Sequence, residues 1–356
     1  MAKFHTLEVK DIYKDTEDCS VIDFSIPEEL KSVFKYKQGQ YLTLRTTIND
    51  EDLRRSYSLC SSPVDNEWKV AVKQIPEGKF STFVNETLKK GDTLEVMKPM
   101  GRFGAAISET PKNYIVFTAG SGITPILSMI KTHLAKEPNS TFKLFYLNRT
   151  VKSIIFKEEI EQLRNQYFGR LEVCYFLTKE FRDIDLFNGR FTKEKLETIF
   201  DKLVDVSELD ECFLCGPEEM IFMVKEELVK AGMPSENIHF ELFVTGLSKD
   251  NSPANKQVVN QKTEGVAVTI IDGGKEFHFD MTKDYNNILD AALGAGADLP
   301  FACKGGVCAT CKCKVMEGEV AMKVNYALEE DEVSKNYVLS CQAVPLTDKI
   351  KLNYDV

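Results

Sequence analysis

Apolar residues in the first hundred positions form short clusters or alternate with polar residues, and Gly, Pro, Asn and Asp interrupt them at short intervals. This pattern is typical of short β-strands separated by turns. Strands at this spacing predict a small, six-stranded antiparallel β-barrel, with one helix-like segment over residues 80–88. The predicted strands are residues 6–9, 21–26, 41–46, 56–60, 68–75 and 93–98.

A different pattern begins at residue 114, where uniformly apolar runs alternate with amphipathic ones. Strands and helices that alternate in this way predict an α/β domain with a parallel sheet and crossover helices. The first strand leads into Gly120-Ser-Gly-Ile-Thr-Pro125, in which Thr124 is expected to cap the first helix and Pro125 to begin it. The predicted strands are residues 114–119, 142–147, 171–177 and 211–215, and the predicted helices are residues 126–136, 158–166 and 218–230.

One internal segment, residues 246–264, is polar, rich in turn-forming residues and without apolar periodicity, which predicts a linker. We therefore predict a barrel domain at residues 1–107, an α/β domain at 108–245, the linker, and a C-terminal domain at 265–356. The composition is compatible with several soluble domains, because 356 residues with 43% hydrophobic and 28% charged residues are enough for separate cores.

Charge and cysteine usage narrow the classes of partner and the location. The formal net charge of −10 argues against nucleic acid and against an anionic membrane surface as partners. No apolar run is long enough to span a bilayer, and the first residues lack the basic and apolar regions of a signal peptide. Ten cysteines in such a chain are typical of a reducing compartment, so we predict a cytoplasmic protein.

Four of the cysteines have a spacing that indicates a metal cluster: Cys303, Cys308, Cys311 and Cys341. Three lie in one tight segment, separated by four and then two residues, and the fourth follows after a long gap. This is the plant-type 2Fe-2S spacing, because two tetrahedral irons need four thiolates and one loop can supply three of them. Gly305 and Gly306 are expected to let the backbone close around the cluster and to direct N–H groups toward sulfur.

Other interpretations of the cysteines fit less well. A zinc site usually has two close Cys/His pairs, whereas Cys341 stands alone, and a disulfide framework is typical of short secreted chains. Cys313 is expected to share a strand face with Cys311, but four ligands are already assigned, so we interpret Cys313 as structural. The same interpretation applies to the scattered cysteines Cys19, Cys60, Cys174 and Cys212.

Two segments of the predicted barrel are suited to a flavin nucleotide. Arg55 can hold a pyrophosphate through two parallel hydrogen bonds, Tyr57 on the same face can lie against the flavin ring, and Ser58 can offer a hydroxyl to the flavin N5. Residues 78–82 open the predicted helix, where backbone N–H groups attract anions. An Arg and a Tyr on a strand are more often surface and core residues, so this motif by itself leaves both interpretations open.

The α/β region carries the pattern of a dinucleotide site. A strand, a glycine loop and a helix N-terminus in succession hold a pyrophosphate, although Pro125 stands at the place of the usual third Gly, so an ordinary turn is the alternative. Arg149 follows the second strand, where an NAD-preferring site usually has an acidic residue, and it predicts NADPH over NADH. Cys215 is expected at the carboxyl edge of the sheet, where open α/β sheets bind ligands.

The order of these motifs resembles the ferredoxin–NADP reductase superfamily, and the cysteine segment resembles a plant-type ferredoxin. Arg55-Ser-Tyr-Ser58, Gly120-Ser-Gly-Ile-Thr-Pro125, Cys215-Gly-Pro217 and Glu241-Leu-Phe243 carry the first resemblance, and residues 297–315 and 337–342 carry the second. Reductase first and ferredoxin last is similar to the reductase components of phenylacetyl-CoA ring-epoxidising complexes. The likeness covers nearly the whole chain.

The resemblance implies FAD in the barrel, NADPH (or NADH) in the α/β domain, and a 2Fe-2S cluster in an α+β ferredoxin domain of the β-grasp type. It implies that Ser58, Cys215 and Glu241 lie at the reacting flavin and nicotinamide. It further implies that Cys303 and Cys308 share one iron while Cys311 and Cys341 bind the other. The remaining residues that it implies for cofactor binding are Arg55, Ser56, Tyr57, Val72, Lys73, Gly78, Lys79, Phe80, Ser81, Thr82, Gly120, Ser121, Gly122, Thr124, Arg149, Gly216, Pro217 and Phe243.

We therefore predict a reductase that passes electrons from NADPH through FAD and the cluster to an oxygenase component of a multicomponent monooxygenase, with phenylacetyl-CoA as the expected substrate. A flavin must stand between the other two groups, because the nicotinamide gives two electrons together and the cluster accepts one. One alternative is another acceptor, such as a dioxygenase, a hydroxylase or a free ferredoxin. A second alternative is a redox sensor or adaptor. The acidic run 329–332 is hypothesised to steer docking of the acceptor.

Overall fold

The computed structural model describes residues 3–243 and 265–355, so the predicted linker lies outside the described residues. The described residues form two compact units. One unit comprises residues 5–53 and 57–243, and the other comprises residues 265–355 with two short N-terminal pieces, 3–4 and 54–56. No helix within the described residues is both long enough and apolar enough to cross a bilayer.

The N-terminal part is the predicted six-stranded antiparallel sheet, in the strand order β4-β3-β6-β1-β2-β5. An isolated antiparallel bridge between Leu59 and Val70 joins the end of β4 to β5, so the two outer strands of the sheet also meet. The elements are β1 (Phe4–Thr16), β2 (Cys19–Ser25), β3 (Tyr41–Ile48), β4 (Glu51–Ser58), β5 (Lys69–Lys73), α1 (Lys79–Glu86) and β6 (Thr93–Met97).

Strand β2 explains how this barrel packs against the rest of its unit, because nearly all of its residues are buried. Side chains alternate between the two faces of a strand. Ile22 and Phe24 fill the barrel core, whereas Cys19 and Val21 belong to the core of the following α/β region. A strand that is apolar on both faces therefore joins two cores.

The α/β region contains the predicted parallel sheet, in the order β11-β10-β7-β8-β9. Helix α2 begins at Ile123 rather than after Thr124, so the predicted cap is wrong: Gly122 holds the cap position, and the Thr124 hydroxyl donates to the Ser121 carbonyl at 3.0 Å. The elements are β7 (Asn113–Ala119), α2 (Ile123–Lys136), β8 (Thr141–Asn148), α3 (Lys157–Gln166), β9 (Leu171–Leu177), α4 (Lys193–Lys202), β10 (Glu211–Gly216), α5 (Glu218–Lys230) and β11 (Ile238–Leu242).

The C-terminal unit is an α+β fold with a mixed five-stranded sheet, ordered β13-β12-β18-β14-β16, and a small pair of β15 with β17. Helix α6 begins after Asn287, whose side chain accepts from the Asp290 N–H, and its apolar face packs into the core of this unit. The elements are β12 (Val266–Asp272), β13 (Lys275–Met281), α6 (Ile288–Gly294), β14 (Lys312–Glu317), β15 (Val320–Met322), α7 (Glu330–Ser334), β16 (Tyr337–Leu339), β17 (Ala343–Pro345) and β18 (Lys349–Asn353). The predicted fold class is confirmed in all three parts.

Candidate functional site

The carboxyl edge of the parallel sheet brings several predicted site residues together. The chain passes outward from β7 to β8 and β9, and then returns to the other side of β7 through β10 and β11. This reversal creates the crevice in which open α/β sheets bind ligands. Residues 120–122 follow β7, and Cys215 lies at the end of β10, so they border the crevice from its two sides.

A close approach between the two central strands explains why Gly122 has to be a glycine. A Cβ atom at this position would lie 2.3 Å from the Cys215 carbonyl oxygen, and backbone cannot move aside as a flexible side chain can. The Thr118 hydroxyl donates to the same carbonyl at 2.8 Å and fixes its position. The loop after β7 and the end of β10 are therefore locked against each other, and Thr118 is a contributor that the sequence analysis missed.

The predicted catalytic residues Ser58, Cys215 and Glu241 are neighbours although they come from three distant segments. Glu241 pairs directly with Cys215 in the parallel register of β10 and β11. The Ser58 hydroxyl, at the end of β4, donates to the Glu241 carboxyl at 3.2 Å. The barrel thus contributes a hydroxyl, and the parallel sheet contributes a thiol and a carboxyl, to one small polar cluster.

The environment of Ser58, Cys215 and Glu241 favours the protonated forms of the carboxyl and the thiol. Glu241 keeps some accessible surface, but protein atoms crowd its carboxyl, and this desolvation raises the pKa to about 8, with the Ser58 hydrogen bond opposing the shift. The same burial raises the pKa of the Cys215 thiol well above its usual value, and the nearby Glu241 carboxyl adds to the effect. At neutral pH the carboxyl can therefore hold a proton and donate it.

The start of helix α1 has features that suit an anion. Gly78 occupies the cap position without a side-chain cap, so the N–H groups of the first turn face outward without helical partners. A Cβ at Gly78 would lie 2.4 Å from the Ile75 side chain and 2.5 Å from the Ser81 hydroxyl. The Ser81 hydroxyl donates to the Gly78 carbonyl at 3.1 Å and accepts from the Ile75 N–H at 3.2 Å. The loop is thus fixed by its own hydrogen bonds, which suits it to a phosphate.

The other predicted flavin residues divide into exposed and buried ones. The Arg55 side chain is exposed on β4, and its guanidinium donates to the Arg54 carbonyl at 2.8 Å. The Tyr57 ring lies 5.7 Å from the Phe80 ring, and Phe80 itself fills the barrel core. Val72 is also a core residue, so Val72 and Phe80 offer only backbone groups to a cofactor.

Three further predicted residues of the barrel make contacts near this loop. Lys73 ends β5 and pairs with Asp18 at 3.4 Å, and the Lys79 ammonium pairs with Glu51. The Thr82 hydroxyl accepts from the Gln74 amide at 3.4 Å. Both lysines are thus engaged by carboxylates, whereas the exposed Arg55 guanidinium contacts a backbone carbonyl. Arg55 is therefore the cation of the predicted set best suited to bind a phosphate.

The predicted 2′-phosphate residue, Arg149, lies exposed just after β8. Its carbonyl accepts from the Lys179 N–H at 2.8 Å, which holds the turn against the segment that follows β9. Asn148, at the end of β8, is buried, and its amide nitrogen lacks a hydrogen-bond partner among the described residues. The exposed guanidinium of Arg149 at this edge of the sheet is suited to an anionic ligand group.

The four predicted cluster cysteines meet as two pairs, Cys303 with Cys308 and Cys311 with Cys341. The Gly305 N–H donates to the Cys303 sulfur at 3.3 Å, as the sequence analysis expects, and the Gln342 amide donates to the Cys341 sulfur at 3.7 Å. The Cys308 thiol and the surrounding N–H groups lower the pKa of Cys303 to about 6, and the Cys311 thiol lowers the pKa of Cys341. In each pair, one sulfur (that of Cys303 or of Cys341) therefore favours the thiolate form.

This arrangement fits a two-iron cluster better than a single ion. Among the described residues, no three His, Cys, Asp or Glu side chains converge as a single metal ion would require. In a 2Fe-2S cluster each iron takes two protein thiolates and two sulfides, so sulfurs in two pairs are what the group needs. Gly306 has a φ of +78°, and a Cβ added there would lie 3.0 Å from the Val324 carbonyl oxygen, so a side chain would strain the backbone and displace its neighbour slightly.

The remaining cysteines lie where the structural interpretation puts them. Cys313 is fully buried on β14, with its sulfur 3.8 Å from the Val338 carbonyl, and Cys19, Cys60 and Cys212 are buried in the larger unit. Cys174 is only partly buried on β9.

The acidic run 329–332, which was predicted to steer docking, is not wholly on the surface. Glu332 is buried and pairs with Lys312 at 3.1 Å.

Comparison with known proteins assigns each part of the chain to a sequence family. The oxidoreductase FAD-binding domain family matches residues 6–104, and the oxidoreductase NAD-binding domain family matches residues 116–226. The 2Fe-2S iron-sulfur cluster binding domain family matches residues 270–346. The cofactors are therefore FAD, NAD(P)H and a 2Fe-2S cluster.

Two curated proteins match over nearly their whole length. The chain is 43% identical to one of the subunits of the 1,2-phenylacetyl-CoA epoxidase of Escherichia coli (strain K12), with 100% of this chain and 99% of that protein covered. It is 34% identical to the ferredoxin reductase component of the 3-ketosteroid-9-alpha-monooxygenase of Rhodococcus rhodochrous, covering 98% and 96%.

A solved structure has the same fold. Phthalate dioxygenase reductase, described as a modular structure for electron transfer from pyridine nucleotides to [2Fe-2S], matches with a TM-score of 0.60 and 23% identity, covering 98% of both chains. The order of the three domains is thus shared along the full length. On this evidence, the chain belongs to the family of oxygenase reductase components, oxidoreductases that join an FAD-binding, an NAD-binding and a 2Fe-2S domain in one polypeptide.

Proposed function

We propose that this protein delivers electrons from NADPH to the oxygenase component of a phenylacetyl-CoA ring epoxidase. The observation that carries the proposal is the 43% identity over the full chain with a component of that enzyme. Relatives that serve a ketosteroid or a glycine betaine monooxygenase are less similar, at 34% and 27% identity. When bound, the flavin would supply the conversion of paired electrons into single ones, and the cluster would supply one-electron transfer to the acceptor.

The residues around Glu241 are proposed to serve the flavin. Ser58 would hold its hydroxyl toward the flavin ring, and Glu241 would hold and exchange the proton that accompanies flavin reduction. The 3.2 Å hydrogen bond between them and the raised pKa of Glu241 support these roles. Cys215 would form the wall beside the nicotinamide, which agrees with its place at the end of β10 next to Glu241.

The phosphates of the two nucleotides would be held at two helix N-termini. The first turn of α1, with Arg55 and residues 78–82, would bind the FAD pyrophosphate, and residues 120–124 at the start of α2 would bind that of NADPH. Helix α1 has no side-chain cap, which leaves N–H groups of its first turn available for phosphate. Helix α2 continues from a 3-10 turn over Gly120–Gly122, whose carbonyls accept from the Ile123 N–H. Tyr57 would lie against the flavin ring, and Phe243 would approach it from the end of β11.

A preference for NADPH is proposed on the chemistry around Arg149. Its exposed guanidinium at the edge of the sheet suits a 2′-phosphate, which an acidic residue at that place would repel.

Cys303, Cys308, Cys311 and Cys341 are proposed as the four cluster ligands. The pairing of their sulfurs and the N–H groups that point at Cys303 support this assignment. The cytoplasm is proposed as the location, because a sequence with ten cysteines, four of them spaced as cluster ligands, is typical of a reducing compartment.

Reconstitution tests the acceptor. The purified protein is combined with NADPH, the separately purified oxygenase component of a phenylacetyl-CoA epoxidase, and phenylacetyl-CoA, and the epoxide product is measured. Product that depends on all four components is expected. The control is a matched reaction with the oxygenase component of a ketosteroid monooxygenase. Equal or faster product formation in that reaction would overturn the proposed acceptor, but it would leave the proposed reductase activity intact.

A further inference from the structure

The side-chain amide of Gln342 lies at the cluster loop. Gln342 directly follows Cys341 and is half-buried. Its amide nitrogen donates to the Lys304 carbonyl at 2.9 Å and to the Cys341 sulfur at 3.7 Å. Lys304 in turn directly follows Cys303, so one side chain contacts the loop of the first ligand pair and a sulfur of the second. The cysteine spacing assigns no role to this residue.

The Lys304 carbonyl fixes which end of the amide faces the loop. A carbonyl oxygen can only accept a hydrogen bond, so the atom 2.9 Å from it is the amide nitrogen and not the amide oxygen. This nitrogen carries two hydrogens, of which the Lys304 carbonyl takes one, and the second is available for the Cys341 sulfur. The contact with sulfur is longer because a sulfur atom is larger than an oxygen atom. A ligand thiolate is also a charged acceptor, and hydrogen bonds to charged acceptors are stronger than neutral ones.

The backbone holds Gln342 in place independently of its side chain. Its N–H donates to the Leu339 carbonyl at 2.8 Å, and its carbonyl accepts from the Lys323 N–H at 3.0 Å. The side chain then passes Gly306, where an added Cβ would lie 3.2 Å from the Gln342 Cγ. The missing side chain at Gly306 therefore leaves room for Gln342 to cross the loop. A substitution of Gln342 that changes only the side chain leaves the two backbone hydrogen bonds available.

We propose that Gln342 is a positioning residue that raises the reduction potential of the cluster by directing an amide N–H at the Cys341 sulfur. Reduction of the cluster adds one electron, taken from the reduced flavin, and neither makes nor breaks a bond to the protein. It increases the negative charge on the ligand sulfurs, so a hydrogen bond to a ligand sulfur stabilises the reduced form more than the oxidised form. The inference rests on the proposed ligand assignment and extends it to a side chain outside the four cysteines.

The test is the Gln342→Met variant of the intact protein. Methionine is unbranched and close to glutamine in length, but its side chain has no N–H to donate. The potential is measured by stepwise reduction at controlled potential, with the reduced cluster followed by electron paramagnetic resonance. The equilibrium constant for cluster reduction is expected to fall about fivefold, with iron, sulfide and FAD content unchanged. This fall corresponds to about 40 mV, at about 59 mV per factor of ten for one electron.

Thr269→Val is the matched control. Thr269 is a half-buried polar residue of the same unit, and its hydroxyl contacts the His278 ring at 2.9 Å instead of a ligand. The potential of this variant should equal that of the wild type, because no hydrogen bond to a ligand sulfur is removed.

Gln342→Asn keeps the inference testable if Gln342→Met does not retain iron. It preserves a neutral amide but shortens the side chain by one carbon, which withdraws the amide from the Lys304 carbonyl and the Cys341 sulfur, so a similar fall is expected. An unchanged or higher potential in either variant with full iron content, or an equal shift in Thr269→Val, overturns the inference. Loss of iron from both variants also overturns it, because Gln342 would then be needed to hold the cluster and not to set its potential. Absence of iron from the wild-type protein would instead overturn the ligand assignment.

Discussion

The cluster loop and the edge of the parallel sheet build their sites in opposite ways. In the loop, three of the four proposed ligands lie within nine residues, and the fourth follows strand β16. At the sheet edge, Ser58, Gly122, Cys215 and Glu241 come from four segments that only the fold brings together. The first site depends on local spacing, and the second depends on topology.

The two sites are therefore sensitive to different changes. A local site loses its group when one ligand changes, whereas the surrounding fold can remain. A site assembled from distant strands keeps its cofactors after a single change, but it loses geometry, and small displacements of reacting groups are costly. Substitutions at the two sites test this contrast.

The largest effect is expected from Cys308→Ser. Loss of one thiolate leaves its pair incomplete, so the cluster should be absent while FAD is retained, as measured by iron, sulfide and flavin content. Cys313→Ser is the matched control, because Cys313 is a buried neighbour outside the two pairs. Retention of about two irons per chain in Cys308→Ser would contradict the assignment.

The next effect is expected from Gly122→Ala at the sheet edge. The added Cβ would lie 2.3 Å from the Cys215 carbonyl, so the loop has to shift. Flavin reduction by NADPH, followed by stopped-flow absorbance, should slow by about 100-fold, with FAD and iron content preserved. The control is Gly169→Ala. Gly169 has a φ of +76°, and a Cβ added there would meet no atom within 4 Å, so this variant introduces backbone strain without a clash. It should leave the rate of flavin reduction nearly unchanged.

A smaller effect with a distinctive pH dependence is expected from Glu241→Gln. The wild-type rate of flavin reduction should change with an apparent pKa near 8, and the variant should lose this inflection and slow by at least about tenfold. Since the folded protein holds this proton to about pH 8 and an ordinary Glu releases it near 4.5, the free energy of unfolding should also fall as pH rises across this window.

The control for Glu241→Gln is Glu236→Gln, an exposed residue just before β11. It should keep both the rate and the inflection. An unchanged pH profile in Glu241→Gln would show that the carboxyl does not carry the relevant proton.

The smallest effect is expected from Arg149→Ala, because an exposed cation contributes less than a buried contact. The ratio kcat/KM for NADPH should fall by about tenfold, the scale of one charge-assisted contact, while that for NADH stays nearly the same. Lys152→Ala, an exposed cation three residues away, is the control. An equal loss with both nucleotides would contradict a 2′-phosphate role for Arg149.

The sequence predicts most of the architecture because the two halves of the larger unit have different apolar patterns. The six barrel strands and the four predicted strands of the parallel sheet are all present, although β1 extends to Thr16 and β4 begins five residues before its predicted start. The offset of β4 has a local cause: Asn49 and Asp50 have positive φ and form a tight hairpin turn, so the strand starts at Glu51 instead of residue 56. That turn signal was present in the sequence and was missed.

Two elements of the larger unit escaped prediction for different reasons. Helix α4 has a readable start, because the Thr192 side chain accepts from the Lys195 N–H, and Leu196 and Ile199 form its buried face. Strand β11 is short and half polar, so only its pairing with β10 identifies it.

The candidate site was predictable in its parts and not in its contacts. The cysteine spacing and the glycine loop are contiguous signals. The hydrogen bond from Ser58 to Glu241 joins residues 183 positions apart, and no local pattern contains that information. The hydroxyl of Thr118, which fixes the Cys215 carbonyl, likewise follows only from the register of β7 beside β10.

The hydrogen bond between Ser58 and Glu241 has a consequence for motion, because its donor belongs to the barrel and its acceptor to the parallel sheet. If these two parts separate, water reaches the carboxyl, its pKa falls toward the ordinary value, and a proton is released to the buffer. Closure takes that proton back. Opening and closing of this cleft would thus be detectable with a pH indicator dye in weakly buffered solution, even when no spectrum of the protein itself changes.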